Sequence, residues 1–400
     1  MKKIAIIGFG VVGRGCADLL AENAAEVLRL TGERVELARV LDLRDFPGTP
    51  YADLVTHDFA DIERDPAISV VIETMGGSHP AYEYTLRALR AGKSVVSSNK
   101  EVVAAFGDEC LRVAREEGVA YRFEAAVGGG IPILSPIISM LGQNKISEVR
   151  GILNGTTNYI LTEMFTYGTA FADALANAQE RGYAERDPSA DIEGLDAARK
   201  LVILAALVTG RLLPVSRIHT EGITQIRAAD VKAAARLGCA IKLIGRCSIG
   251  EGGISALVAP FLLPLEIPLA ATRGVYNAIE VIGRPIGNLM FYGRGAGAGP
   301  TASAVIGDLA QVLCSGRHAA FPSFEKNEDG IEDFANYCSQ NYLAFAKKDA
   351  PAAKAAFPRA QYFEAEDECF LLTERTSEAA VAAILAEGGL APLSRIRMLG

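Results

Sequence analysis

A chain of 400 residues is too long for one hydrophobic core and points to two or three domains. Half of the residues are apolar, and the formal charge of −8 comes from interspersed acids and bases. There is ample material for cores and no basic face for a phosphate backbone, which sets nucleic acid aside as the main partner.

The apolar run Lys3–Ile7 reads as a strand, too short and too soon broken by glycine for a secretory signal. It enters Gly8-Phe9-Gly10-Val11-Val12-Gly13, after which a helix is predicted from Arg14 to about Leu30. Val35 to Leu41 is a second strand, closed by Asp42 and, two residues on, Arg44. The third strand, "ISVVIETMGG", ends at Met75, Gly76 and Gly77; Met75 and Gly76 are candidate cofactor contacts. "KSVVSSNK" is a fourth, ending at Lys100, with a helix from Glu101 to Glu117 and then "VAYRFEAAVGGG". Strand alternating with helix implies a doubly wound parallel sheet of Rossmann type. The uncharged stretch from Ala125 to Asn144 is long enough to span a bilayer. Gly128, Gly129, Gly130, Pro132 and Pro136 break it as a helix, so it is expected as buried loop and helix in a soluble chain without a membrane partner.

From about Ile146 the rhythm changes. "ISEVRGILN", "CAIKLIGRCSI" and "GISALVAPFLLP" read as strands of a second, α+β domain, with helices between. "GRGAGAGP" then leads into a helix from Thr301 to about Cys314, which returns the chain to the first domain. The last segment reads β-α-β-β-α-β, the ferredoxin-like unit. The expected boundaries are 1–145 for the dinucleotide domain, completed by about 301–330, then 146–300 for substrate and dimerisation, and 335–400 for the tail. Seven scattered cysteines without a C-x-x-C pair fit a reduced, cytoplasmic setting and argue against structural zinc.

The glycine loop fits the dinucleotide fingerprint. Gly8 permits the tight turn, Gly10 lets backbone N–H groups approach a pyrophosphate, and Gly13 lets helix and strand pack closely. Asp42 suits a ribose 2′-hydroxyl and so NAD; Arg44 suits a 2′-phosphate and so NADP; both could instead be loop charges, and the pattern leans slightly to NAD. Lys100 stands at the carboxyl edge of the sheet, where ligands bind, although a solvated helix-start lysine would look the same. The richest stretch is "AERDPSADIEGLDAARK", with Glu185, Asp187, Asp191, Glu193 and Asp196 ahead of Lys200 and the apolar "LVILAALVTG". Asp191 can cap the helix that follows. Asp196 and Lys200 share a face at i and i+4, which is commonly a weak ion pair. Here the helix enters a core, and a lysine at that boundary can exchange a proton. "GILNGTTNYI" offers Asn154, Thr156 and Thr157 to a polar substrate, or is a turn with an N-cap.

The stretches "GFGVVG", "VVSSNKEVVA", "EAAVGGGIPI", "GILNGTTNYIL", "GYAERDPSADIEGLDAARK" and "FYGRGAGAGPTASAV", in this order over residues 1 to about 310, closely resemble homoserine dehydrogenase. The resemblance implies NAD(P)-dependent interconversion of L-aspartate 4-semialdehyde and L-homoserine. It makes Lys200 the acid/base residue, with Lys100 as rival proton donor. Glu185 and Asp196, supported by Asp191, would bind the amino-acid substrate. Gly182 and Gly297 would line the cleft. It also implies a sodium ion held at Glu124, Val127, Gly129 and Ile131, mostly by backbone carbonyls, and a homodimer or homotetramer. The tail resembles an ACT-type regulatory unit, although "KKDAPAAKAAF" lacks the glycine after proline that usually helps form the effector site. Arg186 stands where many members carry proline. Two rivals follow from the same fold. A phosphorylating aldehyde dehydrogenase would need an activated cysteine, and a non-catalytic nicotinamide sensor would not need Lys100, Glu185, Asp196 and Lys200 together.

Overall fold

The run Lys2–Ile7 lies at the centre of a parallel sheet because its alternate faces, Ile4 and Ile6 on one and Ala5 and Ile7 on the other, are all apolar and fully buried. A computed structural model, describing residues 1–315, 319, 321–364 and 367–400, shows the sheet and its surroundings. The six strands run in the order Val55–Thr56, Val35–Leu41, Lys2–Ile7, Ile68–Glu73, Ser94–Ser97 and Tyr121–Arg122, all parallel. That is the doubly wound Rossmann order, with its switch point between Lys2–Ile7 and Ile68–Glu73. One face packs against Cys16 and Leu20 of the helix Val11–Glu22 and against Val305 and Leu309 of the helix Ala298–Ser315. These two helices meet at Gly15, where a Cβ would stand 3.6 Å from that of Ala302.

The chain divides into two compact units. One comprises Met1–Asn144, Val202–Val215 and Gly293–Glu328; the other comprises Lys145–Leu201, Ser216–Tyr292 and Asp329–Gly400. The second is built on a mixed sheet whose strands lie in the order Gly287–Arg294, Tyr276–Arg284, Lys145–Ile152, Cys239–Gly250, Gly253–Pro264, Ser394–Met398, Asn341–Ala346, Glu368–Leu372 and Gln361–Glu364. The last four are the strands of the tail. They and the helices Ala350–Ala356 and Glu378–Glu387 follow the β-α-β-β-α-β order, with antiparallel pairing throughout. Ser394–Met398 also pairs in parallel with Gly253–Pro264, so one sheet runs through both. Arg397, nearly inaccessible, ties this strand to Glu378 and Glu221 through charge-assisted bonds of 2.7 to 2.9 Å.

Three local expectations differ from the structure. The predicted helix from Arg14 to Leu30 is two helices, Val11–Glu22 and Ala24–Thr31, broken at Asn23, a residue whose side chain competes with helical backbone bonding. The strand "ISEVRGILN" stops at Ile152, because Asn154 caps a new helix, Gly155–Tyr167. The strands Tyr276–Arg284 and Gly287–Arg294 were not singled out from the sequence. All seven cysteines are free thiols. Among the described residues, no helix is long and apolar enough to cross a membrane.

Candidate active site

The glycine loop leaves Lys2–Ile7 with Gly8 at φ +85°, a conformation that L side chains rarely adopt. A Cβ on Gly13 would stand 2.2 Å from the Gly8 carbonyl oxygen, so the helix can start there only without a side chain. Gly10 is the N-cap of Val11–Glu22 and offers no side-chain acceptor, and the first turn carries no acid. Its N–H groups and the positive end of its dipole are therefore left for an anion. Val11 is exposed at the mouth of this turn, and Phe9 is buried beneath it against Phe46 and Tyr51.

Asp42 closes the second strand and is tied to the loop. Its carboxylate accepts from the Phe9 N–H at 2.8 Å and from Arg44 through the backbone N–H, Nε and Nη2 at 3.0 to 3.1 Å. The Arg44 guanidinium holds the Asp42 carboxyl below the usual carboxylate range. Arg44 is itself largely exposed. Lys100, half-buried, opens the helix Lys100–Glu116, which Asn99 caps by accepting from Glu101 and Val102. Met75 and Gly76 lie in the turn after Ile68–Glu73, and the Met75 N–H donates to Glu73 at 2.8 Å.

The second unit brings together Asn154, Asp191, Asp196 and Lys200. Asp196 and Lys200 lie on the helix Leu195–Thr209, and their ion pair measures 2.7 Å. Both are buried, with Lys200 8% exposed. Lys200 Nζ also donates to the Leu153 carbonyl at 2.8 Å, so two of its three donors are engaged. The Asn154 amide bridges the acids, giving one hydrogen to Asp191 at 2.7 Å and one to Asp196 at 2.9 Å. Its oxygen accepts from the Thr157 N–H, so one residue is both helix cap and bridge. Asp191 is raised above the ordinary carboxylate range, first by burial and then by the neighbouring Asp196 charge. The Thr156 hydroxyl donates to the Tyr183 carbonyl at 2.7 Å. Glu185 and Gly182 are exposed on the loop after the helix Phe171–Glu180, Gly182 at φ +72°. Among the described residues no hydrogen bond joins the Glu185 side chain to this cluster. Gly297, at φ +114° in the first unit, precedes the helix Ala298–Ser315 and accepts from the Thr301 N–H.

Comparison with known proteins bears on this geometry. The family described as "Homoserine dehydrogenase, NAD binding domain" matches residues 8–124, and "Homoserine dehydrogenase" matches residues 132–310. The homoserine dehydrogenase of Pseudomonas aeruginosa is 41% identical over 362 residues, which is 88% of this chain and 83% of that protein. The chain belongs to the homoserine dehydrogenase family. It is thus an NAD(P)-dependent oxidoreductase by family. The enzyme of Synechocystis is 43% identical over 78% of this chain and 73% of its own. The crystal structure of a homoserine dehydrogenase from Thiobacillus denitrificans superposes with a TM-score of 0.90 at 35% identity, covering 100% of this chain and 98% of that one. A hyperthermophilic archaeal homoserine dehydrogenase solved in complex with NADPH covers 81% of this chain and 100% of its own, with a TM-score of 0.68 and 27% identity.

In this family member the loop 124–131 is braced from within. The Glu124 carboxylate is saturated by four donors, the N–H groups of Ile133, Leu134 and Ser135 and the Ser135 hydroxyl, at 2.6 to 2.8 Å. Val127, Gly129 and Ile131 are buried, yet among the described residues no hydrogen bond ends on their carbonyls. A buried carbonyl without a donor is costly, and a monovalent cation would satisfy several at once.

Sequence reasoning missed two buried networks. Lys242 Nζ donates to Asn158 Oδ1 at 2.8 Å and to the Thr272 carbonyl at 2.6 Å, and burial pushes its ammonium down to about 7. Asn158 lies one turn after Asn154 on the same helix. A single lysine inside the apolar "CAIKLIG" was the available signal. The other network surrounds Glu73, an acid ending the apolar "VVIE". Gly13→Ala is expected to weaken NADPH binding at least about tenfold in a fluorescence titration, because the added Cβ meets main chain that cannot yield.

Proposed function

We propose that the chain interconverts L-aspartate 4-semialdehyde and L-homoserine with NADP(H) or NAD(H), and that Lys200 is its acid/base residue. The observation that supports this most is the buried Lys200 amine, tied to Asp196 and the Leu153 carbonyl with one donor left over among the described residues. A nicotinamide bound at the Gly8–Gly13 loop would supply or accept the hydride. Lys200 Nζ donates a proton to the aldehyde oxygen as it becomes a hydroxyl, and removes it in the reverse direction. Asp196 keeps the amine aimed, and Asn154 holds Asp196 and Asp191 at a fixed spacing. Glu185 and Asp196 bind the substrate ammonium group, with Asp191, Thr156 and Gly182 shaping the pocket. Lys100 serves the cofactor side together with Met75, Gly76, Gly297 and the Gly8–Gly13 loop.

The Val127, Gly129 and Ile131 carbonyls would hold a sodium ion, which supplies positive charge where carbonyl dipoles converge. Glu124, already saturated, braces that loop and adds its charge. Assembly into a homodimer or homotetramer in the cytoplasm belongs to the same reading, supported by exposed Met290 and Tyr292 on the strand Gly287–Arg294. So do the division into residues 1–145 with 301–330, 146–300 and 335–400, and an ACT-like role for the tail.

The test follows absorbance at 340 nm with L-homoserine and each oxidised cofactor. A rise with either is expected, and none with both would end the proposal. Asp42 is already taken up by Phe9 and Arg44, which favours NADP over NAD. Arg44→Ala is accordingly expected to cut kcat/KM for NADP at least about tenfold, with the NAD value changed less.

A further inference from the structure

Glu73 ends its strand level with Ser97 of the neighbouring parallel strand. It is fully buried, and among the described residues no cation pairs with it. Such a group is costly in a core unless its hydrogen bonds are complete. Oε1 accepts from the Met75 N–H at 2.8 Å and the Asn99 amide at 3.3 Å, and Oε2 accepts from the Ser97 hydroxyl at 2.5 Å. Asn99 gives another amide hydrogen to the Gly77 carbonyl at 2.7 Å and caps the helix of Lys100. Ser97 Oγ in turn accepts from the Asn99 N–H at 3.0 Å. Among the described residues, the partners of this one carboxyl group stand at a strand end, Ser97, or in the turns just beyond, Met75 and Asn99, at the carboxyl edge of the sheet, where dinucleotides bind.

We propose that Glu73 is a positioning residue for the cofactor, fixing the Met75–Gly77 turn and the start of the Lys100 helix from beneath, and that it does so fully only when ionised. The proposal rests on reading those turns as part of the NAD(P) site. An ionised Glu73 accepts from Met75, Asn99 and Ser97 together. A protonated Glu73 must donate from Oε2, so the Ser97 hydrogen turns away and the bond between the turns is reversed. The displaced hydrogen has somewhere to go: the buried Tyr121 hydroxyl stands within hydrogen-bonding reach of Ser97. The titratable groups facing Glu73 are this hydroxyl and the Cys110 thiol of the Lys100 helix. Burial pushes both upward, so they stay neutral. Burial also pushes Glu73 up to about 7, within the working range of an enzyme.

The experiment compares NADPH dissociation constants of the whole wild-type protein and Glu73→Gln across pH. Glutamine keeps the shape but must donate to Ser97, as protonated Glu73 does. The ratio of the two constants cancels ionisations of the ligand. It is expected to be near one at about pH 6 and to reach about fivefold at about pH 8 and above. A ratio that does not change with pH, even a large one, would mean a merely structural role and overturns the proposal. Ser97→Ala removes the reversing hydroxyl and is expected to flatten the wild-type profile in the same way; a profile that keeps its Glu73-dependent step would overturn it too. Gly13→Ala separates the proposal from the reading beneath it. NADPH binding undisturbed by that substitution defeats the cofactor-site assignment itself, and this inference with it.

Discussion

Lys200→Ala is expected to lower kcat by at least about a hundredfold, the low end of what a positioned acid/base group contributes. The amine is seated between Asp196 and the Leu153 carbonyl, and its removal takes the proton donor out of a cluster built around it. The substitution also strips a buried ion pair, so thermal unfolding must be read alongside the rate. An enzyme that stays folded and turns over at nearly the wild-type rate would move the proton-transfer role to Lys100. Substrate KM gives a second reading. If Asp191 supports Glu185 and Asp196 in holding the ammonium group, KM should rise as pH falls and Asp191, raised by burial, takes up a proton.

Arg122→Met is expected to destabilise the first unit by about 3 to 5 kcal/mol, as breaking a buried ion pair by removing one partner does. Arg122 bonds Asp308 Oδ1 at 2.7 Å, the Ala319 carbonyl at 3.0 Å and Ser135 Oγ at 2.9 Å, with its guanidinium over the Phe321 ring. Asp308 Oδ2 accepts from the Glu124 N–H, so the pair anchors the helix Ala298–Ser315 to the loop read as the cation site. The size of the loss depends on pH. Burial raises Asp308 to about 6 even with Arg122 beside it. Since its folded value lies above the unfolded one, ionisation of Asp308 costs stability as pH rises through about 6. Without the guanidinium that value climbs further, so the cost per proton lost grows. Urea unfolding should therefore show wild type and variant closest in acid and farthest apart at about pH 8. A constant gap would mean that lost packing, and not an orphaned charge, accounts for the loss.

The parts of the fold that could be read from sequence are those where one local pattern dominates. Ile4 to Ile7 is apolar on both faces and precedes a glycine turn, which leaves little but a central parallel strand. The tail announced itself by alternating short strands and helices. What escaped depended on a single polar residue overriding its surroundings. Asn23 splits a helix whose hydrophobic spacing continues across it, and Asn154 ends a strand that its neighbours would extend.

The site divides in the same way. Asp196 and Lys200 could be paired by helical spacing, and their burial followed from the apolar turns behind them. That Asn154 bridges two acids 37 and 42 residues away is a long-range fact, and the sequence offered only a choice between ligand and cap. The structure makes it a cap and a bridge. Asp42 and Arg44 looked like competing cofactor readers; they are partners, with the arginine neutralising the acid. Glu73 passed unnoticed because an acid at a strand end usually faces water, and nothing local says that it is turned inward to bind Ser97 and Asn99.

The backbone of Ser394–Met398 is joined to Phe261 and Leu262, so the tail covers a stretch of strand edge that would otherwise stand open. Its removal would uncover the main-chain donors and acceptors of Phe261 and Leu262, an edge free to pair with a stray strand.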